Sequence, residues 1–215
     1  MEIVKIDLRK SNFEIIDRVV KILRKGGVII YPTDSSYGLG CDPQNTKAIN
    51  RIYKIKKRRA SRPFLMVAEN KGLVEKYVKF NPKAQKVAHH FWPGSLTMVL
   101  GARPGIKISP RLLMREGIAF RVPKNKFLLK LLKKFKKPLV STSANISFIQ
   151  EPIYDGAEVI ETFSKTKYKP DLILDAGRLP KVSTSTVADL TGDVPKILRE
   201  GTIKRKEIFK FLKNE

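Results

Sequence analysis

The chain has 215 residues, 42% hydrophobic and 30% charged, and its 44 Lys and Arg stand against 20 Asp and Glu for a net charge of +24. Such a balance describes a folded globular chain rather than a disordered one, and no apolar run approaches the roughly 20 residues of a membrane span. The single cysteine, Cys41, excludes an intrachain disulfide and a thiolate-rich metal cluster, while the neighbouring His89 and His90 point apart on a helix, so no metal site is expected. The N-terminus lacks the pattern of a signal peptide, and a cytoplasmic protein is the expectation. A surface this basic attracts polyanions. The competing reading, a lysine-rich surface serving solubility, normally carries Glu in balance, and here it does not.

In chain order, a strand over residues 3–7 leads to Ser11 and Glu14, spaced as a capping box, and then to Phe13, Ile16, Val20 and Leu23 at helical spacing. Gly26-Gly27 ends that helix. The short β-branched run Val28-Ile29-Ile30 predicts a buried strand, which Pro32 is expected to stop. The next residues, Thr33-Asp34-Ser35-Ser36-Tyr37-Gly38-Leu39-Gly40, place hydroxyls, a carboxylate and two glycines at a strand's carboxyl end, where α/β sheets hold ligands. By composition alone the stretch could equally be a polar turn.

Ala48, Ile49, Ile52, Tyr53 and Ile55 mark a second helix running into Lys54, Lys56, Lys57, Arg58, Arg59 and Arg62. Six cations in nine residues exceed what complementing a helix dipole needs and favour phosphate binding. Residues 64–68 read as a strand, and Asn81-Pro82 as an N-cap with a first-turn proline. Trp92 is read as a core plug rather than a stacking platform, residues 96–100 as a strand, and residues 101–116 as an irregular flap. Arg121 lies within the apolar strand 117–123 and needs either an acidic partner or an anionic ligand. A helix over 127–135 comes next. The strand opening into Ser141-Thr142-Ser143-Ala144-Asn145, a helix beginning near Asp155, the strand 172–174, the hydroxyl cluster Ser183–Thr186 and the strand 194–198 leading to Arg199 complete the pattern, with Thr202 capping a last helix. No repeat or composition break divides the chain, so a single α/β domain over 1–215 is expected.

Seven stretches now stand in a definite order: Tyr31–Gly40, Lys56-Lys57-Arg58, Trp92-Pro93-Gly94 with Thr97, Arg121-Val122-Pro123, Ser141–Asn145, Ser185-Thr186-Val187, and Leu198-Arg199 with Gly201. In this order they resemble the motifs of the YrdC/Sua5 family, the threonylcarbamoyl-AMP synthases of tRNA modification. The resemblance implies a twisted mixed β-sheet flanked by helices around a positively charged concave cleft, in the short single-domain form. It also implies the reaction of L-threonine, bicarbonate and ATP to L-threonylcarbamoyladenylate and pyrophosphate. A separate tRNA threonylcarbamoyl-transfer complex then modifies adenosine 37 of ANN-decoding tRNAs.

By the same resemblance, Lys56 and Arg58 would hold the triphosphate, Ser143 and Asn145 would donate to phosphate oxygens, and Arg199 would contact ATP. Ser35, Arg121 and Ser185 would orient threonine, and Mg²⁺ would accompany ATP, held by phosphates and water. No G-x-x-x-x-G-K-[ST] stretch is present, so a P-loop is not expected. The chain departs from the family pattern at Ser35, Ser36, Ser95 and Phe148, the last replacing a usual glycine. Because phenylalanine does not take positive φ as cheaply as glycine, the loop 146–153 is expected to follow its own path. Two other readings fit part of the sequence. A non-catalytic double-stranded RNA or tRNA-binding module accounts for the charge, and a carbamoyl-transfer domain of hydrogenase maturation shares the nucleotide chemistry but usually comes with acylphosphatase and zinc-finger segments.

Overall fold

The computed structural model of the chain describes residues 1–59, 61–114, 117–149 and 151–213. Among them are eleven strands: β1 (Glu2–Lys5), β2 (Ile29–Pro32), β3 (Tyr37–Cys41), β4 (Leu65–Val67), β5 (Val78–Lys79), β6 (Leu96–Ala102), β7 (Ile118–Arg121), β8 (Leu139–Ser143), β9 (Leu172–Asp175), β10 (Thr186–Asp189) and β11 (Lys196–Arg199). They form one mixed sheet in the order β1-β9-β2-β3-β8-β4-β7-β6-β10-β11, with β5 paired to β6. The helices are α1 (Phe13–Arg24), α2 (Thr46–Lys56), α3 (Lys71–Glu75), α4 (Pro82–Phe91), α5 (Lys126–Phe135), α6 (Gly156–Ser164) and α7 (Arg205–Lys213). The expected mixed α/β architecture is therefore present.

Alternation along the strands decides where the cleft can open. Successive side chains on a strand point to opposite faces. On one face Ile30, Leu39, Met66, Met98, Phe120 and Ala188 join the buried residues of α2, α4 and α6 in a large core. On the other, Ile29, Tyr31, Val67, Leu139 and Leu172 pack against Val19, Val20 and Leu23 of α1 and Leu128, Leu131 and Leu132 of α5. This second core takes nothing from β6, β7 or β10. The second face is therefore covered over about half its width, and its remaining half is available to a ligand.

Local chemistry departs from the sequence reading at several points. The capping box at Ser11 and Glu14 does not form: Asn12 is the N-cap in left-handed geometry (φ 53°), and its side-chain amide donates to the carbonyls of Asp7 and Lys10. Pro32 lies inside β2, opposite Tyr37, because its missing N–H falls at the end of the ladder. The turn 33–36 and β3 make Tyr31–Gly40 a hairpin rather than a loop after a strand. Thr202 does not cap α7; its hydroxyl donates to the Ser183 carbonyl, and Glu207 instead accepts from the Lys204 N–H. The segment 101–114 is tied down by fully buried Leu112 and by the Ser109 N–H on the Pro43 carbonyl. Residues 115 and 116, also read as part of a flap, lie outside the described residues.

Candidate active site

The uncovered half-face forms a cleft of about 270 Å³. Its walls follow from strand parity. Thr97 of β6, Ala119 and Arg121 of β7, Ser141 and Ser143 of β8 and Val187 of β10 all alternate with residues of the large core and so face the cleft.

The hairpin of β2 and β3 shapes one wall. The Tyr31 ring lies across Gly38 and Gly40, and its hydroxyl reaches past β3 to donate to Ser141 Oγ on β8 at 2.7 Å. A Cβ at Gly38 would stand 3.1 Å from Tyr31 Cζ, and one at Gly40 would stand 2.3 Å from the Val140 carbonyl oxygen. These glycines are thus packing requirements, Gly38 for Thr33 and the Tyr31 ring and Gly40 for the neighbouring strand and the Tyr31 ring. Burial pushes the Tyr31 hydroxyl well above its ordinary pKa, so it stays a donor. In the turn, Thr33 Oγ1 donates to the Ser36 carbonyl at 2.7 Å and accepts from the N–H groups of Ser35 (3.2 Å) and Ser36 (3.3 Å). That lock leaves Ser35 lining the cleft.

Arg121 has found the acidic partner its burial demands. Its Nη2 donates to Asp34 Oδ2 at 2.5 Å and its Nε to the Gly94 carbonyl at 2.7 Å, while the residue is only 8% exposed. Asp34 Oδ2 also accepts from the Lys124 N–H at 3.2 Å, whereas Oδ1 is buried with no partner among the described residues. Gly94 follows Trp92, which is buried and donates from Nε1 to the Leu96 carbonyl at 2.7 Å. The Trp-Pro-Gly stretch thus carries an acceptor for Arg121.

Across the cleft, Ser185 Oγ lies 2.8 Å from Thr97 Oγ1, and Arg199 Nη2 donates to both the carbonyl (2.7 Å) and the hydroxyl (3.2 Å) of Ser185. Gly201 permits this packing: a Cβ there would be 2.1 Å from the Thr184 carbonyl oxygen. Burial first, and the charge of Arg121 second, depress the Arg199 pKa, so the two guanidiniums share one low-dielectric space.

The remaining wall comes from the end of α2 and the end of β8. Lys57 turns into left-handed geometry (φ 51°) and stops the helix after Lys56. The Lys56 ammonium, on a residue 1% exposed, donates to the Ser143 carbonyl (2.5 Å), the Asn145 carbonyl (2.8 Å) and Asn145 Oδ1 (2.9 Å). Asn145 Oδ1 also accepts from Ser143 Oγ at 2.6 Å. Arg58 lies along the wall, donating to the carbonyls of Arg62 (3.0 Å) and Pro63 (3.3 Å), with its guanidinium 5.1 Å from the Phe64 ring centroid.

Six of the eight expected residues thus line a single cleft: Ser35, Arg58, Arg121, Ser143, Ser185 and Arg199. Lys56 and Asn145 are not among its lining residues; they are bonded to Ser143 from behind. Three arginines and one carboxylate face the space. Sequence reasoning did not single out Asp34 as the partner of Arg121, nor Tyr31 and Thr33 as the supports of the wall. The signal for Asp34 was available: a cation in a buried strand required an acid, and Asp34 is the carboxylate within the most motif-like stretch. No group of three or more His, Cys, Asp or Glu able to hold a metal occurs among the described residues.

The Sua5/YciO/YrdC family model, whose description reads "Telomere recombination", matches residues 21–201, a span containing all eight residues. The chain belongs to this family. Within the family, the putative threonylcarbamoyl-AMP synthase of Methanocaldococcus jannaschii is 31% identical over 202 residues, covering 92% of this chain and 93% of that protein. The uncharacterized protein YciO of Escherichia coli is 34% identical over 190 residues, covering 87% of this chain and 89% of YciO. The crystal structure of Pyrococcus abyssi Sua5 complexed with L-threonine matches with a TM-score of 0.88 and 29% identity, over 99% of this chain and 61% of the Sua5 chain. No helix among the described residues is long and apolar enough to cross a membrane.

Proposed function

We propose that the chain is an L-threonylcarbamoyladenylate synthase, a nucleotidyltransferase that consumes L-threonine, bicarbonate and ATP. The observation that carries the reading is one cleft in which hydroxyls and arginines from separate strands meet, on a fold matched over nearly its whole length by a threonine-bound family member. Threonine's amine and bicarbonate give the N-carboxylate with loss of water. A carbamate oxygen then bonds to the α-phosphorus of ATP, and the bond from that phosphorus to the bridging oxygen breaks to release pyrophosphate. The adenylate serves N6-threonylcarbamoylation of adenosine 37 in ANN-decoding tRNAs, through a separate transfer complex.

The chain needs no protein nucleophile for this chemistry; positioning and charge neutralisation suffice. Arg121 pairs with the threonine carboxylate, taking it up beside or in place of Asp34. Ser35 and Ser185 orient the substrate's polar groups from opposite walls. Arg58 and Arg199 receive the nucleotide phosphates, with Ser143 donating a further hydrogen bond. Lys56 and Asn145 contribute the rest of the phosphate side through their bonds to Ser143.

Mg²⁺ fits only as the counterion of ATP. The carboxylate lining the cleft, Asp34, is already bonded to Arg121 and Lys124, so the ion would be held by phosphate oxygens and water, neutralising charge as pyrophosphate leaves. A bare RNA-binding module would account for the +24 charge but gives no reason for Ser35, Arg121 and Ser185 to share one wall-to-wall space. The deciding experiment is pyrophosphate release from ATP. Release that requires both threonine and bicarbonate is expected, and release independent of either one, or no release at all, overturns the assignment.

A further inference from the structure

Beyond the cleft, the molecule keeps an exposed feature that neither the fold nor the proposed chemistry uses. Phe148 holds a left-handed backbone (φ 65°), an unfavourable conformation for a bulky side chain, yet it is 66% exposed and packs into no core. Phe148 thus holds a positive φ that a glycine would adopt more cheaply. The tight turn is imposed by the Ser147 N–H on the Lys56 carbonyl (2.9 Å) and the Ile149 N–H on the Ile146 carbonyl (3.4 Å). Ile149 beside it is 75% exposed. A glycine would make the same turn without strain, so the reason for the ring lies outside the fold.

The surroundings are cationic. The Arg62 guanidinium lies 5.0 Å from the Phe148 ring centroid. Lys57, Arg59 and Arg62 are exposed and engaged by no ion pair among the described residues, and the sequence contains no acidic residue between Asp42 and Glu69. This rim joins the cleft through Arg58, which lines it and donates to the Arg62 carbonyl.

We propose that Phe148, Ile149 and Arg62, with Lys57 and Arg59 around them, form a docking site for unpaired RNA, one base stacking on the Phe148 ring and neighbouring phosphates meeting the cations. A duplex would use the cations alone and leave the apolar pair idle. An anionic membrane would draw the ring inward, but the guanidinium on the ring face would follow it out of water, at a cost. A base, in contrast, gains from both planes, because it stacks on an aromatic ring and on a guanidinium equally well.

Binding is the readout, so the test is independent of the synthase reading. Fluorescence anisotropy would be measured with a labelled single-stranded oligoribonucleotide and with the same strand fully paired, alongside sedimentation with phosphatidylserine-containing vesicles. Phe148→Gly removes the ring and the strain together, so its melting temperature should equal or exceed that of the unaltered protein. It should weaken single-strand binding by about five- to hundred-fold while leaving duplex binding nearly unchanged. Arg62→Gln should weaken binding and lower the salt slope by about one. Unchanged single-strand affinity in Phe148→Gly overturns the proposal, as does an equal loss with the duplex or a Phe148-dependent attachment to vesicles instead of RNA.

Discussion

The two sides of the cleft store positive charge differently. On the side of Ser35, the buried guanidinium of Arg121 is matched by a full carboxylate, Asp34, at 2.5 Å. On the side of Ser143, Lys56 and Arg58 hold only neutral oxygens, three around the ammonium and two along the guanidinium. A cation balanced by a carboxylate can exchange that partner for a ligand carboxylate at little electrostatic cost. Arg58, balanced by carbonyls and lining the cleft, keeps its net charge for an incoming polyanion. The first arrangement suits an amino acid and the second a triphosphate, which is how the proposed reaction divides its substrates.

The largest expected effect removes the charge on the phosphate side. Arg58→Ala should lower kcat/KM for pyrophosphate release by about 10² to 10³, the range for losing one preorganised donor to developing charge. Its carbonyl acceptors are partly exposed backbone, so the fold should survive; turnover at the level of the unaltered enzyme would remove Arg58 from the site. On the other side, Asp34→Ala should leave the Arg121 charge without its anion. The pair is not fully enclosed, with side chains 10% and 17% exposed, so a loss of about 2 kcal/mol is expected, below the roughly 3–5 of a deeply buried pair. Saturating threonine should then raise the melting temperature of Asp34→Ala more than that of the parent protein, because its carboxylate supplies the missing charge. Equal shifts in the two proteins would show that Arg121 does not receive that carboxylate.

A third effect separates the sides through pH. Burial first, then the charge of Arg58, push the Lys56 amine down to about 7 from an ordinary 10.5, while its three oxygen acceptors favour the protonated form. Between those values the unfolded chain binds more protons than the folded one, so this group makes stability rise with pH across about 7 to 10.5. Its unfavourable contribution is complete below pH 7. Lys56→Met removes the titrating group, and the increase in urea midpoint across that window should shrink. An identical increase in both proteins would mean that Lys56 stays protonated throughout.

Much of this was legible in the sequence, for reasons visible in particular residues. The side chains that reach the cleft sit beside apolar strand residues in short runs, so Arg121 beside Phe120, and Ser141 and Ser143 after Leu139 and Val140, announce a polar face on a buried strand. Asn81 was readable as a cap because the interaction is local: its Oδ1 accepts from the Ala84 N–H at 2.8 Å. Failures occurred where a distant partner decided the outcome. Asp34 is joined to Arg121 across 87 residues of chain, and Lys56 is held by Ser143 and Asn145, 87 and 89 residues away, instead of lining the cleft. At Phe148 the hydrogen bonds of its neighbours outweigh the backbone preference of the residue itself.

The smallest effect falls on Ser35, where the comparison between the two sides is most exposed to refutation. Its hydroxyl lies 3.5 Å from Thr33 Oγ1, at the limit of a hydrogen bond, while the turn is held by Thr33 and not by Ser35. Ser35→Ala should therefore leave the melting temperature unchanged. If the hydroxyl contacts threonine, the loss is one neutral hydrogen bond, about 0.5–1.5 kcal/mol, which raises KM for threonine by roughly two- to twelve-fold. KM for ATP should stay constant, because the residues proposed to receive the phosphates, Arg58 and Arg199, come from other elements of the cleft. A rise in both constants would show that the two sides act as one surface, and a rise in neither would show that Ser35 lines the cleft without touching what binds there.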